Sequence, residues 1–488
     1  MTMHRKPRGS HPFPPVVITA LTGSLLALSP TFALGASSAT GTAAESPATP
    51  SGPEPQELET IVVTGEKMGR EQRDTSASVA VLDGQSQQDM NDDSPLDTLR
   101  RAGNVVVTDN GQFSLRGINV TGPEDSRSGF GQPLASVVVD GIVQDRISLS
   151  AGLNGSYDIE QIEVLRGPQS TSLGRNALAG AIVVNTRNPA DYWEAGIRAR
   201  ISENNTRQLN AMLNAPLAEN LAARLVLEDS SSDGFVTNTR NTATTTDDVP
   251  DWAASRQQMA RLKLGLTNTA PDAVHAVLTL QAGRNEQDGL PVYLQRAGAS
   301  PRTSEANEAS RAVREHQMAS LDISFPLSDS LRLQSITSGL QTEEKIRADN
   351  DLGAAKGAYY TSEGTGDTIS QELRLNWKGQ GRSRASLGVY AAYIDQPYAY
   401  DLYDDPIDVG SMLPSLPIPL PIPNPISATA YADYHYGFSN KAINKAVFAE
   451  WDHDFGRLLM TLGLRYDQEE RTQQAPFTVS RVDLIACA

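Results

Sequence analysis

The stretch Ile159-Glu160-Gln161-Ile162-Glu163-Val164-Leu165-Arg166-Gly167-Pro168-Gln169, leading into Gly174-Arg175-Asn176-Ala177-Leu178-Ala179-Gly180-Ala181-Ile182-Val183-Val184-Asn185, decides how this chain folds. Ile162, Val164 and the following Arg-Gly-Pro read as a strand that ends where φ must become unusual. Gly174 to Ala181 supplies small residues, so that backbones can approach closely before a second strand at Ile182–Val184. Two segments upstream have the same character: Phe113-Ser114-Leu115-Arg116-Gly117-Ile118 and Val137-Val138-Val139-Asp140-Gly141-Ile142. Val137–Val139 is a buried β run stopped by Asp-Gly, a tight-turn signal. Taken singly, each piece says only strand and turn.

The surrounding chain sets bounds. With 488 residues it is too long for one ordinary soluble domain. Hydrophobic residues make up 39% and no later stretch approaches the roughly 18–20 apolar residues of a spanning helix, so hydropathy alone reads as soluble. Strands of a membrane barrel alternate lipid-facing and lumen-facing residues and average to the same moderate polarity. The formal charge of −17 argues against a nucleic-acid partner, which calls for a basic stripe. Cys487 is the only cysteine, which leaves no disulfide framework and no cysteine-based metal site. The histidines are scattered, with no two spaced to share a strand face as metal ligands. No nucleophile–base arrangement or phosphate-cradling loop occurs. The chain is not expected to be an enzyme or to carry a cofactor.

The N-terminus has the layout of a secretory signal peptide over residues 1–36. His4, Arg5, Lys6 and Arg8 form a basic region, Val16–Leu28 is apolar but too short to span, and Ala33–Ala39 supplies small residues for cleavage. A short membrane anchor is the other reading. Residues 37–57 are an Ala/Ser/Thr/Pro/Gly-rich linker. Leu58-Glu59-Thr60-Ile61-Val62-Val63-Thr64-Gly65 follows, a β-prone stretch ended by glycine. An extended peptide there suits strand addition to a partner's sheet edge; many buried strands look alike.

In this order and spacing, the quoted motifs resemble the plug domain of TonB-dependent receptors, and the resemblance extends over roughly Leu58 to Glu470. It implies a mixed architecture: an N-terminal α+β plug over 66–190, then antiparallel transmembrane β-barrel strands over 191–488, in the outer membrane. It also implies that Glu59, Thr60, Ile61, Val62, Val63, Thr64 and Gly65 are a TonB box, held by TonB of the inner-membrane energy complex. Plug arginines at such motifs pair with glutamates of the inner barrel wall. Arg116 and Arg166 are the expected cations here, and Glu372 and Glu450 the expected partners, through directional guanidinium–carboxylate contacts. Gly122 to Gly131, with Arg127 and Phe130, suits either a ligand-facing loop at the plug apex or a plain linker.

Beyond Asn188-Pro189 the pattern becomes period-two. Glu372-Leu373-Arg374-Leu375-Asn376-Trp377-Lys378 puts Leu373, Leu375 and Trp377 on one face and the polar residues on the other. Strands are expected at 194–202, 206–215, 220–229, 256–267, 273–284, 315–325, 330–342, 367–378, 384–396, 443–454 and 457–469. Short links alternate with long ones (230–255, 285–314, 343–366, 397–442), the outer-membrane barrel rhythm that a sandwich has no reason to follow. The proline-rich run Leu413–Ile426 lies in the last long link as an extended, polyproline-like path. The array amounts to roughly eleven strands, or twelve if Phe477–Leu484 forms another, against about 22 in the family's transporters. Too few strands to surround a plug, and a C-terminus without a closing aromatic strand, lead us to expect a C-terminally truncated form.

The function expected from the resemblance is energy-coupled uptake of a scarce ligand, most often in this family an iron–siderophore complex. Cobalamin or another non-iron ligand, and a non-transporting fragment of such a receptor, are the alternatives. A passive pore is argued against by the intact plug motifs.

Overall fold

The computed structural model describes residues 62–486 apart from 76, 85–93, 109–112, 121–132, 151–154, 156, 170, 172, 239–252, 269, 271, 290–302, 351–356, 380, 381 and 409–427. The expected leader, the linker and Leu58–Ile61 lie outside the described residues.

Residues 62–186 form an α+β domain of short strands. They are β1 (Val62–Val63), β2 (Arg70–Glu71), β3 (Ser78–Asp83), β4 (Val105–Val107), β5 (Phe113–Leu115), β6 (Ile118–Asn119), β7 (Ala135–Val139), β8 (Ile142–Val143), β9 (Ile159–Arg166) and β10 (Gly180–Thr186), with helices α1 (Pro95–Leu99) and α2 (Arg146–Ser150). The central sheet runs β3-β9-β10-β7-β8, with β10 parallel to β7 and antiparallel to β9. The expected turns are there. Asp140 and Gly141 take φ of 46° and 81°, and Arg116 and Gly117 take 50° and 81°, as type I′ hairpins require. At Gly180 a Cβ would lie 2.2 Å from the Leu165 carbonyl oxygen, so only glycine lets β10 approach β9 this closely. Leu99, Phe113, Leu115, Ile162, Val164 and Ile182 are buried together in one core.

The rest of the chain is one antiparallel sheet. In order it comprises β11 (Glu194–Ser202), β12 (Thr206–Ala218), β13 (Leu221–Ser232), β15 (Ala254–Leu266), β16 (His275–Asp288), β18 (Arg311–Ser328), β19 (Leu331–Asp349), β20 (Tyr359–Lys378), β21 (Ser383–Asp408), β22 (Ala428–Asp454), β23 (Leu459–Gln474) and β24 (Phe477–Ala486). Two short strands, β14 (Thr237–Asn238) and β17 (Thr303–Ser304), pair with each other off this sheet. All eleven expected strands are present, with short links such as 219–220, 329–330 and 455–458 alternating with longer ones.

Two details differ from expectation. First, β21 and β22 are 26 and 27 residues long, well beyond 384–396 and 443–454, because their pairing continues past Tyr398↔Phe438 and Tyr400↔Tyr436. Second, the further strand expected at Phe477–Leu484 does form, as β24, but it pairs with β22 instead of extending the sheet beyond β23. β24 pairs with Ala428–Tyr436 of β22 while β23 pairs with Ser439–Asp454 of the same edge, so the two are one rail interrupted at Ala475-Pro476. The sheet is open, with β11 at one end and the β23–β24 rail at the other.

Its two faces are inverted relative to a water-soluble sandwich. Ile197, Leu213, Leu373, Val389, Ile443 and Val447 point outward and are exposed, whereas Asn214, Arg224, Lys263, Thr279 and Glu344 point inward and are buried. Apolar out and polar in is the pattern of a strand array whose solvent is lipid. No helix among the described residues is long and apolar enough to cross a membrane.

Ile182 is fully buried at the centre of the N-terminal core. Ile182→Ala is expected to destabilise this domain by about 2–5 kcal/mol, read as a lower urea midpoint for its protease resistance, with little change in the heat stability of the large sheet.

Candidate functional site

The domain meets the inner face of the large sheet along two charged seams, and its N-terminal segment is tied down beside one of them. Glu163 in β9 organises that tie. Its carboxylate accepts hydrogen bonds from Thr64 N at 2.8 Å, Thr64 Oγ1 at 2.6 Å and Gly65 N at 2.9 Å. Asn185 Nδ2 donates to Thr64 Oγ1 at 2.8 Å, and Gln161 Nε2 donates to the Val62 carbonyl oxygen at 3.1 Å. Bonds to an ionised acceptor are stronger than neutral ones, and Glu163 is entirely buried. A Cβ at Gly65 would lie 2.8 Å from Leu165 Cδ1 and 3.1 Å from Glu163 Oε2, so the latch needs glycine at that position. Val62 and Val63 then pair with Glu71 and Arg70 as the two-residue hairpin β1–β2. Of the expected box, Val62–Gly65 are placed here, while Glu59, Thr60 and Ile61 lie outside the described residues.

Just beyond the latch, two cations reach the wall. Arg70 donates through Nε and Nη2 to Asp452 of β22 at 3.0 and 2.8 Å, through Nη1 to Glu66 at 2.6 Å, and also pairs with Glu450. Burial works against its charge, but the bonds to Asp452 and Glu66 and the charge of Glu450 outweigh it and raise its pKa. Lys67 pairs with Glu372 of β20, and its carbonyl oxygen accepts from Arg374 Nη1 at 3.0 Å. Its ammonium lies 4.1 Å from the Phe448 ring centroid. Burial, opposed by Glu372 and reinforced by Arg374, lowers the Lys67 pKa to about 8.

Glu372 and Glu450 therefore face the domain as the sequence suggested, but their cations are Lys67 and Arg70 and not Arg116 and Arg166. Arg116 occupies the positive-φ corner of its hairpin, and its Nη1 lies 3.4 Å from where a Cβ on Gly167 would stand. Arg166 keeps its Nε buried without an acceptor. Both line a cleft of about 430 Å³ with Arg70, Glu450 and Thr461, and among the described residues neither is in an ion pair. Nothing in the spacing singled out Lys67 or Arg70. Glu163 did carry a signal: a carboxylate inside a run of buried positions.

The opposite seam has reversed polarity. There the domain supplies acids and the wall supplies bases. Arg224 of β13 donates to both oxygens of Asp158 at 2.7 and 2.5 Å, and Lys263 of β15 donates to Asp140 at 3.0 Å and to the Thr186 carbonyl oxygen at 2.9 Å. Between the seams, Thr342 Oγ1 donates to Asp145 at 2.7 Å. The expected apical residues Arg127 and Phe130 lie outside the described residues. Among the described residues no group of three or more His, Cys, Asp or Glu side chains is placed to hold a metal ion. What this geometry does is hold one domain to a wall, with a short extended segment leashed beside the contact.

Comparison with known proteins bears on the same region. The TonB-dependent Receptor Plug Domain family matches residues 71–181. The pesticin receptor of Yersinia pestis is 27% identical over 175 residues, 36% of this chain and 23% of the relative. The vitamin B12 transporter BtuB of Vibrio vulnificus is 25% identical over 189 residues, 38% of this chain and 30% of the relative. Among solved structures, the ferric yersiniabactin uptake receptor FyuA from Yersinia pestis superposes with a TM-score of 0.58 at 16% identity, over 83% of this chain and 62% of that one. FpvA of P. aeruginosa bound to pyoverdine gives 0.61 at 14%, over 87% and 56%. The chain thus spans less than two thirds of each; at these identities the structural likeness speaks for the fold.

Removing the Glu163 carboxylate leaves Thr64 N, Thr64 Oγ1 and Gly65 N without their acceptor. Glu163→Ala is expected to weaken the latch by about 1.5–3 kcal/mol, seen as faster amide exchange at Thr64 and Gly65. The depressed Lys67 pKa makes a pH prediction. Between about pH 8 and its ordinary value of 10.5 the folded state binds fewer protons at this site than the unfolded state, so the site's contribution to stability rises with pH there. Unfolding midpoints measured from pH 7 to 10 should rise more in the natural chain than in Lys67→Gln.

Proposed function

With a TonB-dependent receptor plug domain over residues 71–181 set against an outer-membrane type of sheet, we propose that this chain serves energy-coupled uptake of a scarce ligand, an iron–siderophore complex, in the outer membrane. The observation that carries the proposal is the leashed segment. The β-prone segment 59–65 has its described end, Val62–Gly65, fastened at Thr64 and Gly65 to Glu163, and the residues that follow, Lys67 and Arg70, are fastened to the wall. A partner that captures this segment by strand addition gains a mechanical connection to the seam between plug and wall. That partner, on this reading, is TonB.

The plug family is one of transport receptors rather than enzymes. Iron is favoured by the names of the relatives, which include an iron-regulated outer membrane virulence protein of Vibrio cholerae and a ferric yersiniabactin uptake receptor. The match to a vitamin B12 transporter supports a second reading, in which the ligand is cobalamin. Lipid is the third partner: the outward Ile, Leu and Val side chains are the surface it would cover.

The periplasmic domain of TonB is expected to bind the 488-residue chain in detergent, and Ile61→Pro to weaken that binding by about tenfold or more by removing a main-chain donor from the added strand. Equal retention of the natural chain and the variant on immobilised TonB domain, or retention of neither, counts against the assignment.

A further inference from the structure

The extended halves of β20, β21 and β22 carry two sets of aromatic rings on opposite faces. On the outward face, Tyr359 stacks on Tyr403 with centroids 4.9 Å apart, and Tyr403 meets His435 at 6.0 Å. That set has the position and composition of the aromatic girdle that marks a membrane interface. The second set has the opposite parity. It shares its face with Glu372, Glu450 and Asp452, which touch the plug, so it lies inside the sheet where lipid does not reach.

This inner set is a continuous ribbon across four strands. Tyr360 stacks on Tyr400 at 5.2 Å, Tyr400 meets Tyr436 at 5.9 Å, and Tyr436 meets Phe477 of β24 at 4.8 Å. Its foot is the Tyr398–Phe438 pair at 6.1 Å, with the Arg146 guanidinium of plug helix α2 4.9 Å from the Tyr398 centroid. Elsewhere the inner face mixes polar and charged side chains with scattered apolar ones such as Met212, Val226, Met318, Leu340 and Phe448, and the ring-to-ring contacts are gathered here. A cavity of about 80 Å³ opens at the foot between Arg146, Tyr390, Tyr398, Phe438 and Asn444. Asn444 lines this cavity, is buried, and has an Oδ1 without a donor among the described residues.

Resting on the reading that this chain binds an iron chelate, we propose that the chelate is of the aryl class, with catechol or phenol rings that stack on the Tyr360–Tyr400–Tyr436 ribbon. Offset and tilted ring contacts at these spacings are the geometry in which a further planar ring is accommodated favourably. Arg146 at the foot, 3.7 Å from Glu344, has guanidinium N–H groups that a ferric phenolate oxygen can share with that carboxylate. Asn444 Oδ1 accepts from an amide or hydroxyl of the ligand backbone. Aliphatic hydroxamate chelates offer no ring to the ribbon.

The test uses the 488-residue chain in detergent micelles and calorimetric titration with three probes: a ferric tris-catechol chelate, a ferric aliphatic trihydroxamate and cyanocobalamin. The tris-catechol complex is expected to bind at least about tenfold more tightly than the others, and Tyr436→Leu to weaken it by about tenfold or more, with Tyr436→Phe and Tyr403→Leu close to the natural chain. Tyr400→Leu reads the same contact if Tyr436→Leu fails to fold. Equal affinity for the trihydroxamate, tighter binding of cobalamin, or binding of the catechol complex that ignores both leucine variants overturns the aryl inference and leaves the receptor reading standing. Binding of none of the three probes overturns both.

Discussion

Everything else in this structure depends on the matching of buried charges between the plug and the inner wall. Desolvating a guanidinium or a carboxylate is expensive, and in a low-dielectric contact the cost is recovered only when each charge finds a well-placed partner. Here the requirement is met with opposite polarity on the two sides. Asp140 and Asp158 of the plug meet Lys263 and Arg224, while Lys67 and Arg70 meet Glu372, Glu450 and Asp452. Turning the plug by half a revolution would set acid against acid and base against base. The seams therefore specify a single orientation as well as holding the domain, and that orientation brings α2 to the foot of the aromatic ribbon.

The inner wall is selective about where it is sticky. Between the two seams its contacts to the plug are the long Arg146–Glu344 pair at 3.7 Å, hydrogen bonds such as Thr342 to Asp145, and small apolar touches such as Ile142 against Met318 and Leu340. Single hydrogen bonds and small apolar touches exchange with water at little net cost, whereas an uncompensated buried ion does not. The strength of the assembly is thus concentrated in a few side chains, and the most connected of them, Arg70, is only seven residues past Val63. Fold and proposed function meet at this point, since the segment assigned under that proposal to capture by a partner is covalently next to the strongest anchor.

How much of this was readable in the sequence follows from what each signal measures. Period-two alternation reports burial on one face, so strands such as β11 and β20 were locatable, and Asp140-Gly141 announced its own hairpin through the positive φ it needs. Alternation fades where both faces carry tyrosine and aspartate, which is why the upper halves of β21 and β22 read as loop. The possible strand at Phe477–Leu484 does form, yet it resumes along the same edge as β23, a fact held in cross-strand register rather than in local pattern. The ion pairs were half legible. Glu372 and Glu450 stood out as acids at inward positions, but their partners are hundreds of residues away, and only the docked geometry distinguishes Arg70 from Arg116.

The hairpin β1–β2 has a consequence best put in mechanical terms. Its strands are antiparallel, with Val62 opposite Glu71 and Val63 opposite Arg70, and the chain ahead of Val62 leaves from the open end. Tension on that chain loads the pairs one after another, as a zip does, and then the bonds to Glu163 in turn. The contacts of Lys67 and Arg70 to different strands of the wall share the load as parallel springs. A weak, serial fastening ahead of a stiff, parallel one lets the leash pay out at low force while the plug stays seated. Only a sustained pull reaches the springs.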